Sequence, residues 1–230
     1  MPTTTRSTLD REFGQIQDNI LRMGSLVDTA IHSSIRCLKN QDAELAKQII
    51  GDDQAINDLR FAIEEECLTL IATQQPMASD LRAVIAAMNI VNDMERMGDH
   101  ATGIAKTVLR MGDEPLPKSL VDFPRMADLA RAMLKQSLDA YLARDADLAR
   151  KVAERDDEID HLYNQIFREL LSFMVEDPKT TAYGTYLLWV AHNLERIGDR
   201  VTNIAERVIY MTTGMMKELN VKGTPGKLDS

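Results

Sequence analysis

Cysteine is close to absent from this chain, since only Cys37 and Cys67 occur in 230 residues and they stand far apart. That excludes a disulfide scaffold and a paired-cysteine zinc site, and it suits a reducing cytoplasm. Glycine and proline are scarce too, at 11 and 7, while Ala, Leu, Ile, Met and the four charged residue types dominate. This bias predicts an almost entirely helical protein. Apolar runs are short: no stretch approaches the ~20 apolar residues of a membrane span, and Met1-Pro2-Thr3-Thr4-Thr5-Arg6 lacks the apolar run of a signal peptide. The expectation is a cytoplasmic protein that meets a membrane only through a partner. Positive charge is in deficit, with a formal net charge of −9. A nucleic-acid-binding module, which needs a concentrated basic face, is thereby disfavoured, and cations or basic protein surfaces are the expected partners. Also missing are a Gly-rich phosphate loop and a Ser/His/Asp set in a recognisable context, so enzyme classes built on them lack support.

What is present is an echo. Asp93-Met94-Glu95-Arg96-Met97-Gly98-Asp99-His100 returns as Asn193-Leu194-Glu195-Arg196-Ile197-Gly198-Asp199-Arg200, at an offset of 100 residues. Thr102, Ile104, Ala105, Val108 and Met111 recur as Thr202, Ile204, Ala205, Val208 and Met211, and Asp42-Ala43-Glu44-Leu45-Ala46 corresponds to Asp145-Ala146-Asp147-Leu148-Ala149 at an offset of 103. A duplicated unit is indicated, and any site built from the repeated charges should exist in two related copies.

Helical periodicity predicts helices over about Leu9 to Leu38, from Asp42 to a turn at Gln74-Gln75-Pro76, and from Ser79 to Met111. The turn-rich Gly112-Asp113-Glu114-Pro115-Leu116-Pro117 follows. The second half repeats the plan from Pro124 to Ala143, from Asp145 to Val175, and from Thr180 to Thr212, with a turn at Glu176-Asp177-Pro178. The expected fold class is all-α, two tandem three-helix bundles related by internal duplication. The first repeat spans residues 8–111, the second 118–213, and 214–230 form a flexible tail.

On the last predicted helix, Leu187, Ala191, Leu194, Gly198, Val201, Ala205 and Val208 form the core seam, and Glu195, Asp199 and Thr202 cluster about 100° from it. The acids are therefore expected to flank the core. Asp156 and Asp160 share a flank of the preceding helix, and both pairs lie roughly 25–30 Å from the connecting turn. Four carboxylates are thus expected to converge. In the first unit Asp53 and Asn57 stand opposite Glu95 and Asp99, one carboxylate poorer. Converging carboxylates need protons, basic side chains or cations between them, and hard oxygen donors on two helices suit divalent or trivalent metals. The competing reading is that such acids are solvated or paired with arginine. Repetition at matched height strengthens the metal reading.

Arg96 and Arg196 fall on a different face from the acids beside them, which predicts interhelix or subunit salt bridges. Gly98 and Gly198 lie on the seam and predict close helix packing. His100 and His192 have no histidine counterparts in the repeat and read as polar-face residues, while Trp189 and the methionines read as core or interface filling. Glu158-x-x-His161 has the form of a di-iron bundle motif, but its first-unit counterparts are Ala55 and Asp58. A ferritin-like di-metal carboxylate enzyme is therefore only the alternative.

At the echoed motifs, supported by Asp156-Asp157-Glu158-Ile159-Asp160 and the weaker Asp52-Asp53-Gln54-Ala55-Ile56-Asn57, the chain resembles the PhoU family of phosphate transport system regulatory proteins over nearly its whole length. The resemblance implies a non-catalytic cytoplasmic homodimer that restrains the phosphate-starvation response. It would link the ATPase subunit of the phosphate ABC transporter to a sensor histidine kinase. It also implies iron or zinc bound through Asp53, Glu95, Asp99, Asp156, Asp160, Glu195 and Asp199. Asn57 departs from the pattern by removing one anionic ligand, which makes the second unit the better expected site.

Overall fold

In a computed structural model of the chain, which describes residues 3–112 and 122–215, every regular element is helical. They are α1 (Thr3–Asn40), α2 (Ala43–Gln74), α3 (Ser79–Met111), α4 (Asp122–Ala143), α5 (Ala146–Glu154), α6 (Asp156–Glu176) and α7 (Thr181–Thr213), with a short 3-10 turn at Pro178–Thr180 before α7. The expected tail beyond Met215 and most of the predicted linker lie outside the described residues.

The duplication is visible in the turns. Asp42 accepts a hydrogen bond from the Leu45 amide, and Asp145 accepts from the Asp147 and Leu148 amides, so each repeat begins its second helix on an aspartate cap. The residues before those caps, Gln41 and Arg144, adopt left-handed backbone at φ 50° and 52°. Ser34 and Ser137, also offset by 103, bury their hydroxyls and donate to Ile31 and Leu134 carbonyls. At the far end of α2, Gln75 closes the helix in left-handed conformation just before Pro76.

One expectation is corrected. The helix predicted over Asp145 to Val175 is two helices, α5 and α6, parted at Arg155. Arg155 has ψ −7°, and its amide bonds to Val152 rather than continuing the four-residue ladder. Its guanidinium holds Glu158 and Gln136, each at 3.1 Å. Asp156, Asp157 and Glu158 then fill the first turn of α6, where carboxylates are favoured by the helix dipole. The matching Asp53-Gln54-Ala55 in α2 carries less acid, and that helix is unbroken.

Stripes such as Ile16, Ile20, Met23, Val27 and Ile31 of α1 bury completely, and one apolar core runs through both repeats. Its inner pair is α3 and α7, which cross antiparallel. Asp93 of α3 meets Arg200 and Asn203 of α7, while His100 and Gly103 of α3 meet Asn193. Because Asp93 and Asn193, His100 and Arg200, and Gly103 and Asn203 are repeat equivalents, the crossing relates the halves by an approximate two-fold. Trp189, expected to fill core or interface space, is 47% exposed and makes an edge contact with Tyr186.

Candidate functional site

The two seam glycines set the separation of the acid-bearing helices. A Cβ on Gly98 would stand 3.0 Å from Ile56 Cδ1 and 3.2 Å from Asp53 Oδ1, and one on Gly198 would stand 2.7 Å from Ile159 Cδ1 and 3.2 Å from Asp156 Oδ1. The same trio of glycine, isoleucine and aspartate is therefore built twice. A side chain at either position would push the isoleucine aside, so glycine favours this close approach, and the approach carries Asp53 toward the α3 acids and Asp156 toward the α7 acids.

In the first repeat Asp53 accepts a hydrogen bond from Asn57 Nδ2 at 3.3 Å and lies close enough to Asp99 for the two charges to interact. Burial first, then the charge of Asp99, pushes the Asp53 carboxyl above its ordinary range, and the same two causes raise Glu95. Arg60 partly offsets the rise at Glu95. It donates to Asn92 Oδ1 at 3.1 Å, stands 3.8 Å from both Glu64 and Glu95, and lies over the Phe61 ring at 4.4 Å.

The second repeat is more buried and more tightly neutralised. Asp156 is 1% exposed and Glu195 6%. Arg196 donates from Nε and Nη2 to the two Glu195 oxygens at 2.6 and 2.7 Å, and its Nη1 reaches Asp199 at 2.9 Å. Burial alone would lower the Arg196 pKa, but the Glu195 hydrogen bonds, with Glu195, Asp199 and Asp160 as counter-charges, carry it upward. His192 Nδ1 lies 3.8 Å from Glu195.

Two expectations change here. Asp156, Glu195 and Thr202 do not merely flank the core but are buried with it, because the glycine crossing brings the neighbouring helix over them. Within the chain, the nearest partners of Arg196 are Glu195 and Asp199 of its own helix, with Asp160 of α6 as a further counter-charge. Although its Cα faces elsewhere, the long side chain folds back across both acids of its own helix.

The donor chemistry of seven carboxylates on paired helices suits a hard cation. The side-chain arrangement does not, because the second cluster is turned onto Arg196. Among the described residues no group of three or more His, Cys, Asp and Glu side chains is placed to hold a metal ion. The Glu158 and His161 side chains are exposed, and Glu158 pairs outward with Arg155, so this motif does not project into the bundle as a di-iron site requires.

Sequence reasoning missed the polar contacts between repeats. Asp93, buried on α3, accepts from Asn203 at 3.1 Å and pairs with Arg200 at 3.5 Å; burial raises its pKa, and these partners oppose the rise. Across the two-fold, His100 shares a hydrogen bond with Asn193 at 3.0 Å, and burial holds its pKa below the ordinary value. On the opposite side Arg131 of α4 grips Asp28 of α1 with bonds of 2.8 and 2.9 Å. The signal for the central pair lay in the echo itself, at the two positions where charge fails to repeat.

The family model for the PhoU domain matches twice, at residues 20–108 and 123–208. The chain is 41% identical over 209 residues to the phosphate-specific transport system accessory protein PhoU homolog of Rhizobium meliloti, covering 90% of this chain and 88% of that protein. It is likewise 41% identical over 217 residues to the homolog of Clostridium acetobutylicum, covering 94% and 99%. Among solved structures, PhoU from Pseudomonas aeruginosa superposes with a TM-score of 0.85 at 35% identity over 90% of this chain and 99% of that one. The phosphate transport system regulatory protein PhoU from Streptococcus pneumoniae gives 0.83 at 35% identity over 91% and 99%.

Proposed function

The chain belongs to the PhoU family, and from that premise we propose that it is a non-catalytic adaptor that restrains phosphate uptake and the phosphate-starvation response. It would couple the ATPase subunit of a phosphate ABC transporter to a sensor histidine kinase. The observation that carries this reading is that similarity to proteins named as phosphate transport accessory and regulatory factors extends through both repeats. The form of the molecule supports it. Two copies of one helical unit share a continuous core, a build that suits presenting fixed faces to partners. No helix among the described residues is long and apolar enough to cross a membrane, so membrane contact would run through the transporter. Co-purification of the tagged chain from phosphate-replete cells tests the proposal. Recovery of both the transporter ATPase and a histidine kinase is expected, and recovery of neither would end it.

As a second element of the proposal, the acidic clusters take up iron, zinc or a similar cation when the arginine that closes the second cluster is displaced. The seven carboxylates would supply the ligands. Elemental analysis of protein prepared without chelator, beside Glu195→Ala/Asp199→Ala, tests this. Stoichiometric metal that disappears in the variant supports it, and absence of metal from both removes it.

A further inference from the structure

We propose that the outer groove between α6 and α7 docks a basic amphipathic helix of a partner protein, with Tyr163, Phe167 and Leu171 receiving its apolar side chains. The inference rests on the adaptor reading and names the surface that would serve it.

Asp156, Asp160, Tyr163, Phe167 and Leu171 follow one another along a single flank of α6 at spacings of three and four residues. The acids occupy the end near Gly198. Beyond them the flank becomes apolar and open, with Phe167 40% and Leu171 47% exposed. The Phe167 ring packs at a tilt on Tyr163, centroids 6.4 Å apart. Leu188 of α7, seven residues before Glu195, is half-buried on the facing flank. Tyr163 packs partly against the core, and the exposed Phe167 and Leu171 extend that apolar flank to the surface, which marks a contact surface.

Along the same flank the first repeat differs at two of the three strip positions. At the offset of 103, Arg60 replaces Tyr163 and Glu64 replaces Phe167. Those two approach each other at 3.8 Å, and Arg60 also holds Asn92. The first flank also keeps Leu68, 58% exposed at the position of Leu171, with Phe61 59% exposed nearby, but its Arg60 and Glu64 are tied into polar contacts where the second carries Tyr163 and Phe167.

Charge selects the occupant. α6 carries six carboxylates against the one guanidinium of Arg168, and across the groove Arg196 offsets only part of the charge of Asp156, Asp160, Glu195 and Asp199, so a second copy presenting the same helix, or an anionic lipid surface, would be repelled. A basic helix is attracted. Asp160 and Phe167 are seven residues apart, a rise of about 10 Å. The partner should therefore place Lys or Arg about two turns from its apolar stripe.

Fluorescence anisotropy on the full chain tests this. The probe is a labelled synthetic helix of about five turns with a leucine stripe and lysines two turns away, compared with a scrambled peptide of equal composition. We expect the striped peptide to bind, Phe167→Asp or Leu171→Asp to weaken it about tenfold, and the matched first-repeat change Leu68→Asp to leave it unaltered. Each changed position is exposed, and circular dichroism verifies the fold. Equal binding of both peptides, equal effects of the three changes, or no binding would overturn the proposal. So would self-association, or capture on anionic vesicles, that Phe167→Asp abolishes. If the peptide fails while transporter and kinase still co-purify, the groove is wrong and the adaptor reading stands. If it binds while neither co-purifies, the reverse holds.

Discussion

Replacing Arg196 with glutamine should destabilise the protein, and the loss should depend on Glu195. The guanidinium makes two charge-assisted bonds to a carboxylate that is only 6% exposed and a third to Asp199. Stranding one member of a fully buried ion pair costs about 3–5 kcal/mol. The Arg196 side chain is 37% exposed, so water re-solvates part of the site and the discounted cost is about 1–2 kcal/mol. For a helical body of this size that corresponds to a fall in Tm of roughly 2–8 °C. Glu195→Gln removes the charge that Arg196 serves. In the double variant the second change should therefore add little, giving a coupling of about 1 kcal/mol in a urea-unfolding cycle. If the two single losses simply add, within about 0.3–0.5 kcal/mol, Arg196 does not neutralise Glu195 in solution and this reading of the cluster is refuted.

Further outcomes are expected at four positions. Gly198→Ala should destabilise by up to about 2 kcal/mol, because the new Cβ meets the fully buried Ile159 and overpacking outweighs the helix-propensity gain of about 1 kcal/mol. Gly51→Ala, where nothing lies within 4 Å, should instead stabilise by about that gain; chemical denaturation compares them. Tyr141→Phe should raise stability by about 1 kcal/mol, since the buried Tyr141 hydroxyl has no hydrogen-bond partner among the described residues; calorimetry reads the shift. Asp99→Asn should stabilise the protein at neutral pH by a few tenths of a kcal/mol to about 1. Burial and the Asp99 charge raise the folded pKa values of Asp53 and Glu95 above their unfolded values, so the folded state holds extra protons and the penalty grows as pH rises through that window. The gain from Asp99→Asn should accordingly fade as pH falls toward the ordinary carboxylate range, which Tm measured across pH reveals.

Much of the architecture was legible because its boundaries are local chemistry. The helix predicted from Ser79 to Met111 has those bounds in the structure, fixed by Pro76 before it and Gly112 after it. The glycine crossings were legible as well, since a glycine on an apolar seam has few other uses. The break at Arg155 was hidden: the heptad-like run from Leu148 to Ile166 continues across it, and only the acid-rich first turn of α6 signals a new start. Burial of Asp156 and Glu195 was also hidden, because a helical wheel gives the angle of a side chain but not how closely the neighbouring helix approaches. Arg196 misled for a related reason, as a wheel places its Cα while the guanidinium sits several ångströms away on a flexible stem. Asp93 and Arg200 were hidden because neither charge repeats, and a pseudo-two-fold interface takes its specificity from the positions that do not.

The central claim, that this chain holds the phosphate-starvation response in check, is tested most directly by deleting its gene and measuring phosphate-starvation transcripts in phosphate-rich medium. The account predicts that they rise to starved levels and fall again when the chain is restored. Transcripts that stay low in the deletion strain would contradict it.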